Sequence, residues 1–336
     1  VLRRLGALDD VTAHAEPIER LHAVTPRGRT LLNQRYDAAG EPGLCAYGVH
    51  RGELFAALHG RLLAGPAVVH AGFTLASIEQ GDAGVRLIDD RGRATERFDL
   101  LLGCDGQRST VRRFVRSTMW SHVYRHGALW ATGPCDTVRR ELWQVADGTR
   151  RLIGVLPVGR GRCTFFCSIE SDAVPSLEAA AFDRWKSDVL RLCPQAEPLL
   201  RDRRSRRDFV FTTYRHVALR HWRDGRVVLL GDAAHAMSPQ LGQGANLGVA
   251  DAEAFANAVA SHYTWQAAAA AFCRARRPQT AIYGTLSALL TPFFQSRGVV
   301  KAIGRDLALP LLPRVPWVRR QMLRTMSGRK RTWFGD

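Results

Sequence analysis

The run Val227-Val228-Leu229-Leu230, followed at once by Gly231-Asp232, constrains this chain more than any other feature. Four consecutive apolar residues ending in a turn signal suit a strand buried on both faces, the kind found in parallel sheets flanked by helices. The next residues, Ala233 to Asn246, include His235, Pro239, Gly242 and Gly244. Beyond them Val249, Ala252, Phe255, Ala256 and Val259 recur at helical spacing. The expected unit is strand, glycine-rich loop and helix, and ligands gather at the carboxyl ends of such strands. Gly242 and Gly244 let the backbone approach a ligand, and the N–H groups opening the helix favour an anionic or electron-rich group. The spacing of Gly242, Gly244 and Gly248 is not the standard dinucleotide fingerprint, so this loop alone is a weak signal.

A second motif of the same form spans Leu100-Leu101-Leu102-Gly103-Cys104-Asp105-Gly106, then Gln107 to Arg113. Its bland reading is an Asp-Gly turn before a capped helix; its functional reading is a second ligand-facing strand end. Both stay open on the residues alone. Asp232 at its own strand end can accept hydrogen bonds from ribose or ribityl hydroxyls.

The 336 residues suggest about two domains, and 46% apolar with 24% charged residues argues against disorder. No apolar run approaches the ~18 residues of a membrane span. Seven cysteines without a CxxC pair, and no HExxH, argue against zinc and point to a reducing, cytoplasmic setting. The net charge is +17, much of it local: from Arg297 onward ten Lys or Arg face only Asp306 and Asp336, an excess of eight. Arg201, Arg203, Arg204, Arg206 and Arg207 form a second cluster. Solvated faces are the default for both, and no zinc finger, RNA-binding signature or basic–aromatic interleaving supports a nucleic-acid partner. The tail alternates apolar and basic residues around Pro310, Pro313 and Pro316, which exclude one long helix. It is expected to pack on the body, with subunit contact or a peripheral membrane contact as the alternatives.

Upstream, Leu54, Phe55, Leu58 and Leu62 fall at helical spacing, while Val68 to Phe73, Val85 to Ile88 and Phe98 to Leu102 read as strands. Residues 128–170 read as an antiparallel sheet.

Asp105-Gly106 with Ser109, Val111 and Arg112, and Gly231-Asp232-Ala233-Ala234-His235 with Pro239, Gly242, Gly244 and Asn246, resemble the paired motifs of FAD-dependent aromatic ring hydroxylases of the para-hydroxybenzoate hydroxylase type. Val49-His50-Arg51 resembles their flavin-contacting arginine segment, and Gly154 to Gly159 a substrate-domain strand and turn. Arg274, Arg276, Arg277 and Pro278 fit the stretch after their long helix. The similarity reaches from residue 1 to about 290. It departs at the start: no Gly-x-Gly-x-x-Gly unit is present, and Val1 to Leu8 match the helix that follows that unit in the family.

The resemblance implies an α/β fold. Its FAD-binding Rossmann-like three-layer domain, N-terminally incomplete, would comprise 1–20, 45–115 and 215–290. An inserted antiparallel substrate domain would take 21–44 and 116–214, and a basic helical tail 291–336. It implies FAD as cofactor, with Asp232 on the ribityl–pyrophosphate part and Arg51 on the phosphates. Pro239, Gly242, Gly244, Ala245 and Asn246 would face the isoalloxazine ring, and Asp105 and Gly106 would lie near the flavin and affect NAD(P)H use. The implied reaction is NAD(P)H- and O2-dependent oxygenation of a small aromatic or related ring through a flavin C4a-hydroperoxide, in a monomer or homodimer. No catalytic acid, base or metal ligand is expected, because the cofactor carries the chemistry. His235 reads as a structural member of its loop, and Trp130, Trp143, Phe165 and Phe166 are the candidates for the substrate pocket. Two alternatives stand: a remnant of the fold that cannot hold FAD, and a flavin halogenase, whose Trp-x-Trp-x-Ile-Pro segment is missing.

Overall fold

The computed structural model describes residues 1–39 and 42–334. In chain order the helices are α1 (Leu8–Thr12), α2 (Arg51–Leu63), α3 (Ala179–Leu192), α4 (Glu197–Leu200), α5 (Asp232–His235), α6 (Gly244–Ser261), α7 (Trp265–Phe294), α8 (Val299–Ala308) and α9 (Pro316–Met326). The strands are β1 (Glu16–Ile18), β2 (Arg20–Val24), β3 (Thr30–Arg35), β4 (Ala46–Gly48), β5 (Leu75–Gly81), β6 (Gly84–Asp89) and β7 (Leu101–Gly103). They continue as β8 (Met119–Pro134), β9 (Glu141–Asp147), β10 (Arg151–Pro157), β11 (Arg162–Glu170), β12 (Val210–Leu219), β13 (Arg223–Asp224) and β14 (Val227–Leu229).

Seven strands form the large sheet in the order β12-β8-β11-β10-β9-β2-β3, antiparallel except for the parallel pair β2–β9. Its centre is covered on both faces, which explains why β10 reads as a nearly continuous apolar run. On one face α3 and α4 close a core in which Phe165, Phe182, Trp185 and Phe209 meet at ring-centroid separations of 5.5–6.4 Å. Each such ring contributes about 1.5–3 kcal/mol by leaving water. On the other face Phe294 and Leu309, from the end of α7 and just past α8, pack with Leu21, Leu32 and Phe166 on Leu31 and Leu152. The tail therefore packs on the sheet through part of its surface, and it breaks into two helices around its prolines.

The second unit holds the strand–loop–helix motif. β14 lies between β13 and β7, parallel to β7, with Val227, Val228 and Leu229 opposite Leu101, Leu102 and Gly103. Val227, Val228, Leu229, Ala233, Ala234 and Phe272 are buried together there, against α6 and α7. The two units are joined where the β1–β4 ladder meets the end of β10. A Cβ on Gly48 would sit 1.9 Å from the Pro157 carbonyl oxygen, so only glycine allows this approach. The junction fixes where Arg51 enters α2, three residues on.

Four sequence expectations are corrected. Val68 to Phe73 form no strand, and Val68 and Val69 are exposed, because no neighbouring strand offers them a ladder. The start of the chain is a series of turns, with helix only from Leu8. In α6 the buried positions are Leu247, Asp251, Phe255 and Ala258, so the packed face is rotated from the expected one and Val259 is exposed. Arg274, Arg276, Arg277 and Pro278 lie inside α7, which runs through Pro278.

Candidate functional site

The two strand-end motifs converge because β7 and β14 are parallel neighbours in register, so both chains leave the sheet at the same edge. They then do different things. After β7 the chain turns back and Asp105 Oδ2 accepts from the N–H groups of Thr110 at 2.7 Å and Val111 at 3.1 Å. Ser109 Oγ accepts from Arg112 N–H at 2.9 Å. This is the capped Asp-Gly turn: one carboxylate oxygen of Asp105 serves the backbone. Gly106 adopts φ +80 with open space beside it.

After β14 the chain passes Gly231, at φ +57 and ψ −140, a region closed to residues with a Cβ. Space is not the constraint, since a Cβ there would meet the Gly248 Cα at an ordinary 3.6 Å; the backbone conformation is. Arg112 ties the turns together, donating from Nη2 to Gln107 O at 2.7 Å and from Nη1 to Ala233 O at 2.9 Å. Desolvation holds its guanidinium below the usual arginine range, with Arg215 acting the same way and Asp105 and Asp232 opposing.

Asp232 is the first residue of α5 and is solvent-accessible. The packed protein around it nevertheless pushes its carboxyl above the ordinary range, while His235, Arg51 and Arg112 pull it back. Arg51, at the exposed start of α2, thus lies near enough for its charge to act on Asp232. His50 caps this helix by accepting from Gly52 N–H at 3.2 Å.

The loop from Pro239 ends at Gly242, in the left-handed conformation at φ +64, and α6 begins at Gly244 without a side-chain cap. The first inward bond of this helix start runs from Leu247 N–H to Gln243 O at 2.9 Å. The N–H groups of Gly244, Ala245 and Asn246 therefore point out of the helix end, and all three residues are exposed. A Cβ on Gly244 would lie only 3.9 Å from Asp232 Oδ1, so the carboxylate and the helix start share one hollow.

This hollow is braced from beneath by Asp251, a residue that sequence reasoning missed. Its side chain is 0% exposed and collects three donors. Oδ2 accepts from His235 Nε2 at 2.6 Å and from Gly231 N–H at 2.9 Å, and Oδ1 from Arg276 Nε at 2.7 Å. Arg276 also donates to Gln279 Oε1 and, at 3.4 Å, to Leu247 O. Burial pushes the Asp251 carboxyl up, but the bonds from His235, Arg276 and Gly231 outweigh it and hold it below the usual range. A carboxylate can only accept, so His235 carries its proton on Nε2. His235 is thus a structural member of the loop, as expected, and Arg276 earns its place in the sequence pattern from inside α7.

The wall facing the loop comes from β8 and β12. Ser238, just before Pro239, is buried and hydrogen-bonded to Thr291 Oγ1 at 2.6 Å. Tyr124 lies beside both: burial raises its phenol, with hydrogen bonding to Thr291 and Ser238 opposing. Tyr124 Oη is 3.5 Å from His216 Nδ1, and Trp120 and His122 ring the pair, with centroids at 5.1 Å from His216 and 5.0 Å from Tyr124 respectively. Burial, then the charge of His122, holds His216 below the ordinary histidine range. The Ser287 hydroxyl, fully buried on α7, has no hydrogen-bond partner among the described residues. Of the aromatic residues expected to line a pocket, Phe165 is in the sheet core, Trp143 packs against it, and Trp130 lies tilted against Phe166 with ring centroids 5.1 Å apart.

The residues fit one end of FAD. An uncapped helix start beside a carboxylate suits an electron-rich carbonyl edge next to a chain of hydroxyls, and Arg51 suits a phosphate.

A family model described as an FAD binding domain matches residues 1–278. The chain belongs to the FAD-binding domain family. FAD is therefore its cofactor. Among relatives, it is 31% identical over 267 residues to aurachin C monooxygenase/isomerase of Stigmatella aurantiaca, covering 74% of this chain and 65% of that protein. It is also 31% identical over 304 residues to kynurenine 3-monooxygenase of Salinispora arenicola, covering 84% and 65% respectively. The chain thus spans about two thirds of the length of these relatives, 65% in both cases. In fold it is similar to Klebsiella pneumoniae HpxO complexed with FAD and uric acid, with a TM-score of 0.81 at 19% identity over 97% of this chain and 85% of that one. It is likewise similar to 2-methyl-3-hydroxypyridine-5-carboxylic acid oxygenase, with a TM-score of 0.78 at 20% identity over 99% and 85%.

Proposed function

We propose that this chain belongs to a monooxygenase that uses NAD(P)H and O2 to oxygenate an aromatic or related ring. The observation that carries the reading is the shared hollow of Asp232 and the α6 start, set against the Tyr124–His216 wall across Ser238 and Pro239. Relatives named kynurenine 3-monooxygenase and aurachin C monooxygenase/isomerase support a ring substrate.

FAD, when bound, supplies electron transfer from NAD(P)H and the activation of O2. The protein's part is electrostatic and positional. The N–H groups of Gly244, Ala245 and Asn246 would stabilise negative charge at the carbonyl edge they face, with no reorganisation because the helix already orients them. Asp232 would accept from ribityl hydroxyls and Arg51 would bind phosphate. Pro239 and Gly242 would cover the ring face, and Asp105 with Gly106 would shape the adjoining turn. Trp120 and His122 would stack on the substrate ring. His216 Nδ1, held neutral at pH 7 by its burial, would take a proton through Tyr124 Oη from a ring hydroxyl or amine as electron density is drawn to the carbon being oxygenated.

The experiment is reconstitution: purified chain is incubated with FAD, freed of excess by gel filtration and read by its visible spectrum, then assayed for NADH and NADPH oxidation with a panel of hydroxylated, aminated and quinolone-type rings. Retained flavin and ring-stimulated oxidation with a hydroxylated product are expected. Failure of the folded chain to retain flavin would remove the cofactor site, and retained flavin without any ring-stimulated turnover would remove the monooxygenase reading.

A further inference from the structure

Helix α8 is mounted with its polar anchor inward and its apolar stripe outward. Ala302 and Arg305 are its buried residues. Arg305 donates from Nη1 to Gly148 O at 2.7 Å and Phe293 O at 3.0 Å, and pairs with Asp306 at 2.6 Å. The side facing water carries Val299, Val300, Ile303 and Leu307, which are 68%, 82%, 55% and 55% exposed. Residues 299, 303 and 307 lie on successive turns of one face. Beyond the helix, Leu311 and Trp317 are also exposed, at 51% and 52%. A surface helix whose apolar side faces water is the reverse of ordinary amphipathic packing, and contiguous exposed apolar surface marks a contact site.

The charge around the stripe selects the contact. Lys301, Arg314, Arg319 and Arg320 are exposed along α8, the connecting turn and α9. Among the described residues from 295 onward the sole acidic side chain is Asp306, already paired with Arg305. A twofold contact between two copies would bring these like charges together. A polyanion such as nucleic acid would leave the aliphatic stripe in water. A bilayer with anionic headgroups satisfies both, with aliphatic side chains and a tryptophan at the acyl boundary and cations at the phosphates. No helix among the described residues is long and apolar enough to cross a membrane, so the contact lies in the interface plane.

We propose that α8 and the start of α9 form a docking surface for anionic phospholipid membranes. The assignment is independent of the flavin chemistry. The test is co-sedimentation of the full chain with vesicles of phosphatidylcholine alone and of phosphatidylcholine with 30% phosphatidylglycerol. Each exposed cation near an anionic surface raises partition about fivefold, so binding to the anionic vesicles should exceed that to neutral ones by at least about tenfold and fall in 0.5 M NaCl. Ile303→Glu with Leu307→Glu should cut binding at least about tenfold, since both face water and their loss removes the inserted stripe. Their circular dichroism melts should match the parent. Arg319→Gln with Arg320→Gln should abolish most of the preference for anionic lipid. Absence of binding, or equal binding to both vesicles, overturns the proposal. So does binding that the arginine pair abolishes and the glutamate pair leaves intact, which would mean a plain polyanion patch. A parent dimer that the glutamate pair makes monomeric, with no vesicle binding, would assign the face to a second copy instead.

Discussion

Replacing Asp251 by asparagine tests whether the flavin hollow is held by a buried charge. The substitution keeps the volume of the side chain but turns one of its two acceptor oxygens into a donor. Two of the present donors share Oδ2 and the third, Arg276 Nε at 2.7 Å, uses Oδ1. Whichever way the amide turns, at least one bond to the carboxylate is lost, worth about 1.5–3 kcal/mol, and a donor faces a donor. Arg276, only 7% exposed, is left without its counter-charge. Breaking a buried pair in this way costs about 3–5 kcal/mol, so about 4 kcal/mol is expected. At about 2 °C per kcal/mol for a chain of this size, the melting temperature should fall by about 8 °C. The assay is thermal melting by circular dichroism of Asp251→Asn, Arg276→Met and the double variant, with FAD titrated against each below its melt. The double variant should be less destabilised than the two singles together by more than about 1 kcal/mol, because the second substitution removes a charge already orphaned. FAD affinity should fall with Asp251→Asn even where the fold persists, since the support of the Gly231–Asp232 turn by Asp251 and Arg276 is weakened in either orientation of the amide. The folded Asp251 carboxyl lies below its unfolded value, so its stabilisation is full above about pH 4 and fades as pH drops through the folded value. The parent and the asparagine variant should therefore converge in strong acid. A melt within about 2 °C of the parent at neutral pH, or additive double-variant losses, would refute the reasoning.

Three further outcomes follow from the same geometry. Arg112→Lys keeps the charge but cannot reach both Gln107 O and Ala233 O, so FAD affinity measured by fluorescence titration should weaken by about tenfold, one hydrogen bond to a charged group; unchanged affinity would show that the two turns hold themselves. Gly231→Ala places a Cβ on a backbone at φ +57 and should lower stability by about 1–3 kcal/mol in urea unfolding, whereas Gly28→Ala, also at positive φ but in open space, tests the conformational cost alone. Burial holds His126 and His216 below the ordinary histidine range, so the unfolded chain binds more protons than the folded one below about pH 6.5. Urea midpoints should accordingly rise with pH up to that value and level off above it, and a midpoint that falls across this window would contradict the assignment.

The strand–loop–helix unit was legible because its signals are local: a doubly buried strand must be apolar throughout, and a glycine must stand where the backbone turns against a helix, as Gly231 does. Arg51 and Asp232 came from the family pattern, and in the structure the charge of Arg51 acts on Asp232. What was illegible depends on packing between distant segments. Asp251 was hidden because its three donors come from a turn 20 residues before it, from His235 and from α7; the one available signal was an aspartate four residues from both Leu247 and Phe255 on a face that is otherwise apolar. Tyr124 and His216 were missed for a related reason. Strand register decides which residues of β8 and β12 turn toward Ser238, and a bulge between Thr213 and Arg215 shifts that register one residue before His216.

The two aspartates show how far a motif can carry an assignment. Asp105 and Asp232 both end apolar strands, and nothing in the residue types separates a capping carboxylate from a ligand-facing one. What separates them is the direction of the next free N–H groups. After Asp105 the chain returns within six residues and offers the amides of Thr110 and Val111 to one oxygen of the carboxylate. After Asp232 the exposed start of α6, a dozen residues on, brings Gly244 beside the carboxylate, where a Cβ would lie 3.9 Å from Oδ1. A carboxylate and a set of donors that face the same space leave room for a third group, and that pairing supports the proposal that the second strand end meets the cofactor.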